Sequence, residues 1–397
     1  MTPKEKVEFF LQETDYSRDL SQKCRDYFDH KQWTDEEVSK LRARQQAPIV
    51  VNRVKPKVEG LVGLYELRKT DPKAFPVTQK HEEASHPVTD ALRYVSRNTK
   101  FDITRLDVAE DFFVEGTGGV FIDVRPSKKG MEIRPWRIPW DRIYYDPRSR
   151  KKDFSDARFM GVWMWLDFDQ AKSMFNLSQK KFDQLQESSQ SEDYEETTED
   201  RPRWSNNVDK RARIAVHFEV QKDVWKMQVF SGDTDIIKEQ DSPFLDEDGS
   251  PICPLELVSA NIDRNNQRYG EVAGFLSQQD EINHRRSKFL HLNSVRQTFG
   301  NENAIEDVNA AKRELAKPNG HIKLLQGAKF GDDFGVIQHQ DMNKAQIDLY
   351  LDAKSELDAV SLNAQLAGER QSGELSGKAI DKLQQAGTLE LNRQPRS

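Results

Sequence analysis

Apolar residues recur every three to four positions along the N-terminal part of the chain, which is the spacing of amphipathic helices. The run Thr34-Asp35-Glu36-Glu37 has the form of a capping box and predicts a helix that continues to about Arg44. A first helix precedes it, with one apolar stripe made of Tyr16, Leu20, Cys24, Tyr27 and Phe28.

Three further helices are predicted before the pattern changes. Residues 47–52 form an extended lead into a helix in which Pro56 and Gly60 disturb the first turns. Two helices follow at about Pro87–Asn98 and Asp102–Glu115, and Gly116 is placed as the stop of the second. The apolar side of the helix after residue 52 consists of Val54, Val58, Leu61, Val62 and Tyr65.

The hydrophobic period then falls from 3.6 to 2, which indicates strands. One pair is predicted around Val120–Val124 and Met131–Ile133, across a loop with Pro126 and Gly130. A β section at Arg158–Leu166 precedes short helices at Asp169–Phe175 and Gln179–Gln186. Residues 187–207 are poor in apolar side chains and rich in acid, so they predict a surface loop. A hairpin over Ile214–Val220 and Trp225–Val229 follows, with its turn at 221–223 and one solvated face.

Two long helices are predicted near the C-terminal end. The first covers Glu271–Thr298. Between them lies a small mixed segment with a helix at Ala304–Lys317, a Pro318-Asn319-Gly320 turn and a strand at His321–Leu325. The second starts near Met342, and a glycine-rich stretch separates it from a final helix that begins at Lys378. Its predicted packing side is Ile347, Leu351, Leu357 and Val360, which suits burial against other copies in a ring.

Composition narrows the possible functions. The 397 residues are 36% hydrophobic and 32% charged, with a net charge of −7. Tight binding to DNA relies on Lys and Arg, so this charge argues against a general DNA binder, though not against a surface past which DNA slides. Two cysteines exclude a disulfide framework and suit the reducing cytoplasm. The chain shows neither a signal peptide nor an apolar run that could span a membrane, which predicts a soluble protein.

Candidate catalytic chemistry is weak. His284 and His291 are seven residues apart, whereas a helical metal pair is usually four apart. Asp123 with Glu132-Ile133-Arg134 resembles a nuclease metal site faintly, but arginine replaces its lysine. The Gly116–Gly119 run lacks the lysine of a phosphate-binding loop and predicts a turn. We therefore predict no catalytic residue, metal or cofactor, and keep the metal-dependent nuclease as a third alternative.

Four short motifs resemble one family in their order and spacing. They are the Val51–Gly63 stretch, the Tyr144-Tyr145-Asp146-Pro147 run followed by Ser155-Asp156-Ala157, the Tyr269-Gly270 pair followed by 278–283 and Ser287, and the 371–380 segment. Together these motifs resemble the portal proteins of short-tailed bacteriophages, from about residue 50 to residue 390. The second alternative is another oligomeric phage structural protein without a DNA channel.

The resemblance implies an α+β portal subunit with a mixed wing domain, a long stem helix pair, a small α/β clip and a kinked tunnel-loop helix. Portals of this type continue into a C-terminal crown. The implied segments are N-terminal helices at 1–46, the wing at 47–270, stem helix 1 at 271–298, the clip at 299–340, stem helix 2 at 341–365, the tunnel loop at 366–377, and the start of the C-terminal wing or crown helix at 378–397.

The resemblance also implies roles and partners. Arg370, Gln371 and Lys378 would face DNA in the tunnel. Implied partners are a ring of twelve copies, double-stranded DNA, the large terminase, the head-to-tail adaptor, and the major capsid and scaffolding proteins, with no membrane. The protein would be made in the bacterial host cytoplasm and would reside at the portal vertex of the virion. From their charges, the stem residues expected to line the channel or contact a neighbouring subunit are Arg285, Arg286, Lys288, Lys344, Asp348, Asp352 and Glu356.

Overall fold

The chain folds as two compact units of mixed α and β structure, which confirms the predicted α+β class. Within the described residues, the first unit comprises Met1–Arg25 and Pro56–Gly274, and the second comprises Asp26–Lys55 and the chain from Phe275 onward. The computed structural model describes residues 1–67, 71–76, 78, 82–127, 130–175, 183, 205–206, 211–231, 238–246, 248–294, 297–301, 304–315, 317, 319–337 and 340–360.

The N-terminal region contains two helices where one stripe was predicted. Helix α1 spans Pro3–Glu13 and begins with a capping box between Thr2 and Glu5. Helix α2 spans Asp15–Phe28. Tyr16 is exposed, so its predicted place in the apolar stripe was wrong. The buried side of the helix has the small residues Ser17 and Ser21 there, and Ser21 donates to the Glu115 carbonyl at 2.8 Å. A tyrosine on that side would prevent so close an approach. From Thr14 to Phe28, the buried positions are Thr14, Ser17, Ser21, Cys24, Tyr27 and Phe28.

The next four helices follow the sequence closely. Helix α3 spans Asp35–Ala43 and has the predicted capping box. Helix α4 spans Val54–Leu67, α5 spans Glu82–Asn98 and α6 spans Phe101–Val114. Helix α5 begins five residues before its predicted start at Pro87, which therefore lies inside the helix. Gly116 ends α6 with a φ of +89°. A Cβ on Gly116 would lie 2.1 Å from the Tyr269 carbonyl carbon, so the close backbone approach also requires glycine.

A three-stranded antiparallel sheet follows α6. Its strands are β1 at Thr117–Ser127, β2 at Gly130–Ile138 and β9 at Leu255–Ser259, in the order β2-β1-β9. The hairpin pairs as far as Ser127 opposite Gly130, so Pro126 and Gly130 belong to strands, and the prediction that placed them in a loop was wrong.

The larger sheet has six strands. They are β3 (Ile143–Tyr145), β4 (Phe159–Asp167), β5 (Ser205–Asn206), β6 (Arg211–Gln221), β7 (Val224–Phe230) and β8 (Lys238–Asp241), in the order β3-β4-β6-β7-β8 with β5 beside β6. The predicted hairpin of β6 and β7 is confirmed. Ser205 and Asn206 lie in a strand, although the sequence placed them in a surface loop.

The predicted solvated face of this hairpin is wrong, because Ala215, His217 and Glu219 are all buried. Helix α1 lies over that face: Lys6 forms an ion pair with Glu219. The His217 ring stacks on Tyr144 at 5.8 Å between centroids. Strand β6 is therefore buried on both sides over residues 214–219, although its antiparallel hairpin predicted only one buried side.

Short elements complete the first unit. Helix α7 spans Phe168–Phe175, as predicted. Strands β10 (Asn261–Ile262) and β11 (Arg268–Tyr269) form a small hairpin. The predicted helix at 179–186 and the acidic loop at 187–207 fall outside the described residues, apart from residues 183 and 205–206.

The second unit contains the two long helices. A 3-10 turn at Glu271–Phe275 precedes α8 at Leu276–Ser294, and a strand, β12, takes Gln297–Gly300. The predicted continuous helix over 271–298 is therefore too long at both ends. Its C-terminal residues pair instead with β13 at Phe334–Ile337, where their backbone groups enter a sheet ladder. Helix α9 spans Val308–Leu315, shorter than predicted.

One further prediction in this unit is corrected. Residues His321–Leu325 form no strand, and the Leu325 N–H instead donates to the Ala304 carbonyl at 3.1 Å. Helix α10 spans Gln340–Val360. Ile347 and Leu351 of its predicted packing side are exposed in the single subunit, so their burial against other copies stays a prediction. Its buried side chains, among those the structure describes, are Gln346, Ala353 and Leu357.

Candidate functional site: the long helices of the second unit

One face of α8 carries polar side chains at every fourth position. Gln279, Asn283 and Ser287 are buried and lie one above another, as residues four apart do on a helix. Each of them accepts a backbone N–H from an extended segment of the same unit. These bonds run from Arg53 to Gln279 at 3.0 Å, from Val51 to Asn283 at 2.9 Å and from Ile49 to Ser287 at 3.0 Å.

The two spacings match for a geometric reason. Four residues of helix advance about 6 Å, and two residues of extended chain advance about 6.6 Å. Alternate N–H groups of the segment therefore meet successive helical turns. Gln279 also donates to the Val51 carbonyl at 2.9 Å, which fixes the register. Helix α8 is held by directional bonds along three turns.

Side chains that precede the extended segment in the sequence also contact α8. Tyr27 donates its hydroxyl to Asp280, and Asn283 donates to Gln32 at 2.7 Å. The Trp33 ring meets His284 edge-on, with 4.6 Å between centroids. His284 therefore lies against an indole, which does not suit the helical metal pair considered from the sequence.

Helix α10 packs against α8 through a narrow buried line. Leu357 is fully buried, and Gln346 accepts a hydrogen bond from Arg285 at 3.4 Å. Arg285 also contacts Glu281, one turn earlier in α8, at 3.0 Å. This guanidinium, predicted to face the channel or a neighbouring subunit, is engaged within its own subunit.

The other predicted charges of α10 form an exposed row. Lys344, Asp348, Asp352 and Glu356 are all exposed and are spaced four residues apart, so they lie along one side of the helix. Over its whole length α10 has five acidic residues and two lysines. Three successive carboxylates give this side a negative potential.

The predicted cations of α8 are also at the surface. Arg286 and Lys288 are exposed, and the Arg286 guanidinium lies 5.8 Å from the Phe289 ring centroid. Arg370, Gln371 and Lys378, the predicted tunnel residues, lie outside the described part of the chain.

A buried ion-pair cluster in the first unit escaped the sequence analysis. Arg25 contacts Glu110 at 2.8 Å and Asp111 at 3.2 Å, and it also binds Glu115. Arg137 reaches Asp111 from the other side at 2.5 Å. Burial raises the pKa of Glu115 to about 8, although its bond to Arg25 opposes the rise. The only signal in the sequence is the i, i+1, i+5 spacing of three acids on a helix, which is equally common on solvated faces.

The residues of the nuclease alternative are paired with arginines. Asp123 contacts Arg125 at 2.5 Å, and Glu132 contacts Arg134 at 2.9 Å. Asp123 also lies directly opposite Arg134 in the sheet. Each carboxylate that would have to bind the metal ion is thus paired with an arginine instead. In the part of the chain that the structure describes, no three His, Cys, Asp or Glu side chains are grouped so that they could hold a metal ion.

Comparison with known protein families identifies a similarity that covers most of the chain. The model of the family described as Phage P22-like portal protein matches residues 10–393. The search of curated proteins gives no significant match. Among the helices of the described residues, none is both long and apolar enough to cross a membrane.

Proposed function

Given that the chain belongs to the phage P22-like portal protein family, we propose that it forms the ring through which double-stranded DNA enters and leaves the capsid. The family is structural and is associated with genome packaging and the head-tail connector at the capsid vertex. The proposed ring has twelve copies and performs no covalent chemistry; the packaging motor, the large terminase, supplies ATP hydrolysis.

The exposed acidic row of α10 carries the channel proposal. A channel must let duplex DNA slide, and Lys or Arg contacts to phosphates would instead hold it by releasing counterions. Asp348, Asp352 and Glu356 offer the opposite charge at helical intervals of about 6 Å. At physiological salt their field extends about 8 Å, so it acts on DNA only near the wall. A field of this range opposes tight phosphate binding at the wall and leaves the centre of the channel open to DNA.

Contacts between subunits are assigned to the cations of α8. Arg286 and Lys288 are exposed, whereas Arg285 is held by Glu281 and Gln346 of its own subunit. In the proposed ring, Arg286 and Lys288 contact acidic side chains of the adjacent subunit. Lys344, at the start of the acidic row, contributes to the same interface.

The segment at 299–340 is proposed as the clip that docks the large terminase and then the head-to-tail adaptor. It exposes large apolar side chains that a docked partner would cover: Phe330 is 72% exposed and Val308 is 55% exposed. Arg370, Gln371 and Lys378 are proposed as DNA contacts of the tunnel loop, on the family resemblance alone. The capsid and scaffolding proteins are proposed as partners of the wing at 47–270.

Negative-stain electron microscopy of the purified chain, with mass measured in parallel, tests the proposal. We expect rings with an axial hole at least as wide as the DNA duplex and a mass near twelve subunits. Because portals can need partners to assemble, a monomeric sample is examined again with scaffolding protein. A closed dimer, or an oligomer without an axial hole under both conditions, would exclude the channel and favour the alternative of a phage structural protein without one.

A further inference from the structure

The first unit contains a polar cleft that the channel proposal does not use. Its volume is about 510 Å³, which lies within the range of small-molecule sites. Four arginines line it, namely Arg18, Arg142, Arg213 and Arg268, and they outnumber the three acids. We propose that this cleft binds a phosphate-bearing small molecule, with the phosphate held by the arginine side chains.

Arg268 is the strongest observation. Its side chain is buried, with 3% of the residue exposed. Nη2 donates to the Ser149 and Lys151 carbonyls, each at 3.1 Å. The guanidinium stacks on the Phe154 ring at 3.9 Å and lies 5.1 Å from the Tyr145 ring, and its Nε and Nη1 are buried without a geometric hydrogen-bond acceptor. Buried guanidinium N–H groups are rarely left unsatisfied, since each costs the desolvation of a charged donor. An anion in the cleft would supply the missing acceptors.

The electrostatics of the cleft also favour an anion. Burial lowers the pKa of Arg213 to about 10; Asp141 opposes this shift, and the like charges of Arg18 and Arg142 add to it. A bound phosphate would relieve this repulsion. Planar guanidinium groups bind phosphate oxygens in pairs, which makes arginine the usual residue for such recognition.

The acids of the cleft do not cancel this charge. Glu115 is already bound by Arg25, and burial raises its pKa to about 8. Asp19 and Asp141 are at the exposed rim. The deep part of the cleft is therefore rich in donors.

Aromatic rings give the cleft both room for an organic group and a spectroscopic signal. Trp140, Trp163 and Trp165 line it, and the Arg213 guanidinium lies 4.3 Å from the Trp163 ring centroid. Binding is measured by tryptophan fluorescence of the full chain titrated with inorganic phosphate, AMP and adenosine. We expect a saturable change with at least one of the first two and none with adenosine. Whichever phosphate saturates identifies the source, free or organic.

Two variants and one control locate the binding. Arg18→Gln and Arg213→Gln each remove one charged donor and should weaken binding about tenfold or more. Arg97→Gln, on exposed helix α5, does not line the cleft and should bind as the original chain does. Arg268 is left unchanged because Nη2 anchors the loop at 149–151. Circular dichroism confirms that each variant is folded.

Three results would overturn the proposal. One is the absence of a saturable change with both phosphates, which would leave the cleft to water. Another is adenosine binding as tightly as AMP, because phosphate would then not be what is recognised. The third is equal affinity of the Arg18→Gln, Arg213→Gln and Arg97→Gln variants. None of these outcomes depends on whether the chain forms a ring.

Discussion

Glu115 is the residue whose protonation should most affect the stability of the first unit. Its pKa is raised from an ordinary 4.5 to about 8 by burial. The stabilisation linked to its protonated form is fully present below pH 4.5 and is lost as the pH rises through 8. We expect the free energy of unfolding to fall relative to that of Glu115→Gln over this interval, by about 1.4 kcal/mol for each unit by which the pKa is raised.

Urea denaturation of both proteins at about pH 5 and pH 8.5 measures this difference. The exposed Glu8→Gln variant controls for the loss of one carboxylate elsewhere in the unit. If the free energy of unfolding changed with pH equally in the original chain and in Glu115→Gln, the ion pair with Arg25 would fully offset the cost of burying the charge.

Residues with local partners were predictable, and residues with distant partners were not. The capping box of α3 needs only Thr34 and Glu37, three positions apart, and the sequence identified it. Arg25 and Glu115 are separated by 90 positions, so no local pattern announces their contact. The same holds for the arginine cleft, whose members come from two helical and two β segments. Chemistry assembled by the fold is not visible in a single sequence.

The turn of the β6–β7 hairpin contains two non-glycine residues in the left-handed conformation, so a glycine there should stabilise the chain. Lys222 and Asp223 have φ values of 51° and 64°, the left-handed conformation that suits a two-residue hairpin loop but that non-glycine residues adopt at a cost. Asp223→Gly should raise the free energy of unfolding by about 0.5–1 kcal/mol, measured by urea denaturation.

A glycine in a similar conformation provides the opposite test. Gly249 has a φ of +77°, and a Cβ there would meet no atom within 4 Å. Gly249→Ala should therefore destabilise by about 1 kcal/mol through backbone strain alone. If Asp223→Gly also destabilised the chain, the Asp223 side chain would have to contribute more than its strained backbone costs.

The predicted apolar stripe of α10 divides into a residue that packs within the subunit and residues that are exposed on its surface. Leu357 is fully buried, whereas Leu351 is 53% exposed, although both belong to the predicted packing side. Leu357→Ala should cost about 2–5 kcal/mol of stability by leaving a cavity. Leu351→Ala should stay within about 0.5 kcal/mol in the isolated subunit. Thermal denaturation of the two variants measures the contrast.

Equal destabilisation by these two variants would contradict the packing of α10 described above. A Leu351→Ala variant that leaves stability unchanged but impairs ring formation would support the predicted burial of Ile347 and Leu351 against other copies. Periodicity showed that α10 is a helix with apolar positions, and this was correct. It could not show which of two neighbouring apolar rows meets α8, because both have the same spacing.

For the whole molecule, the sequence predicted the class and the order of elements better than it predicted burial. The α+β class and the two long helices are confirmed. The face of β6 that was expected to be solvated is buried, because α1, more than 200 positions earlier in the chain, packs over it. Such coverage depends on how segments meet in space, which hydrophobic alternation within one strand does not record.

The charge of the assembled ring yields the prediction that bears most directly on function. Neutralising the acidic row with Asp348→Asn, Asp352→Asn and Glu356→Gln together should strengthen the retention of duplex DNA by the ring severalfold and slow packaging. The physical reason is the loss of repulsion between the row and the phosphates. The difference should shrink at high salt, because screening weakens that repulsion in the original ring as well.

A matched control separates this effect from net charge alone. Glu82→Gln, Glu83→Gln and Asp90→Asn remove the same three charges from the exposed surface of α5. Binding of fluorescent duplex DNA to rings of each protein, at low and high salt, makes the comparison. If both triple variants retained DNA equally, the effect would come from overall charge and α10 would not line the channel. Stronger DNA retention by the α10 variant alone would place the acidic row where DNA passes.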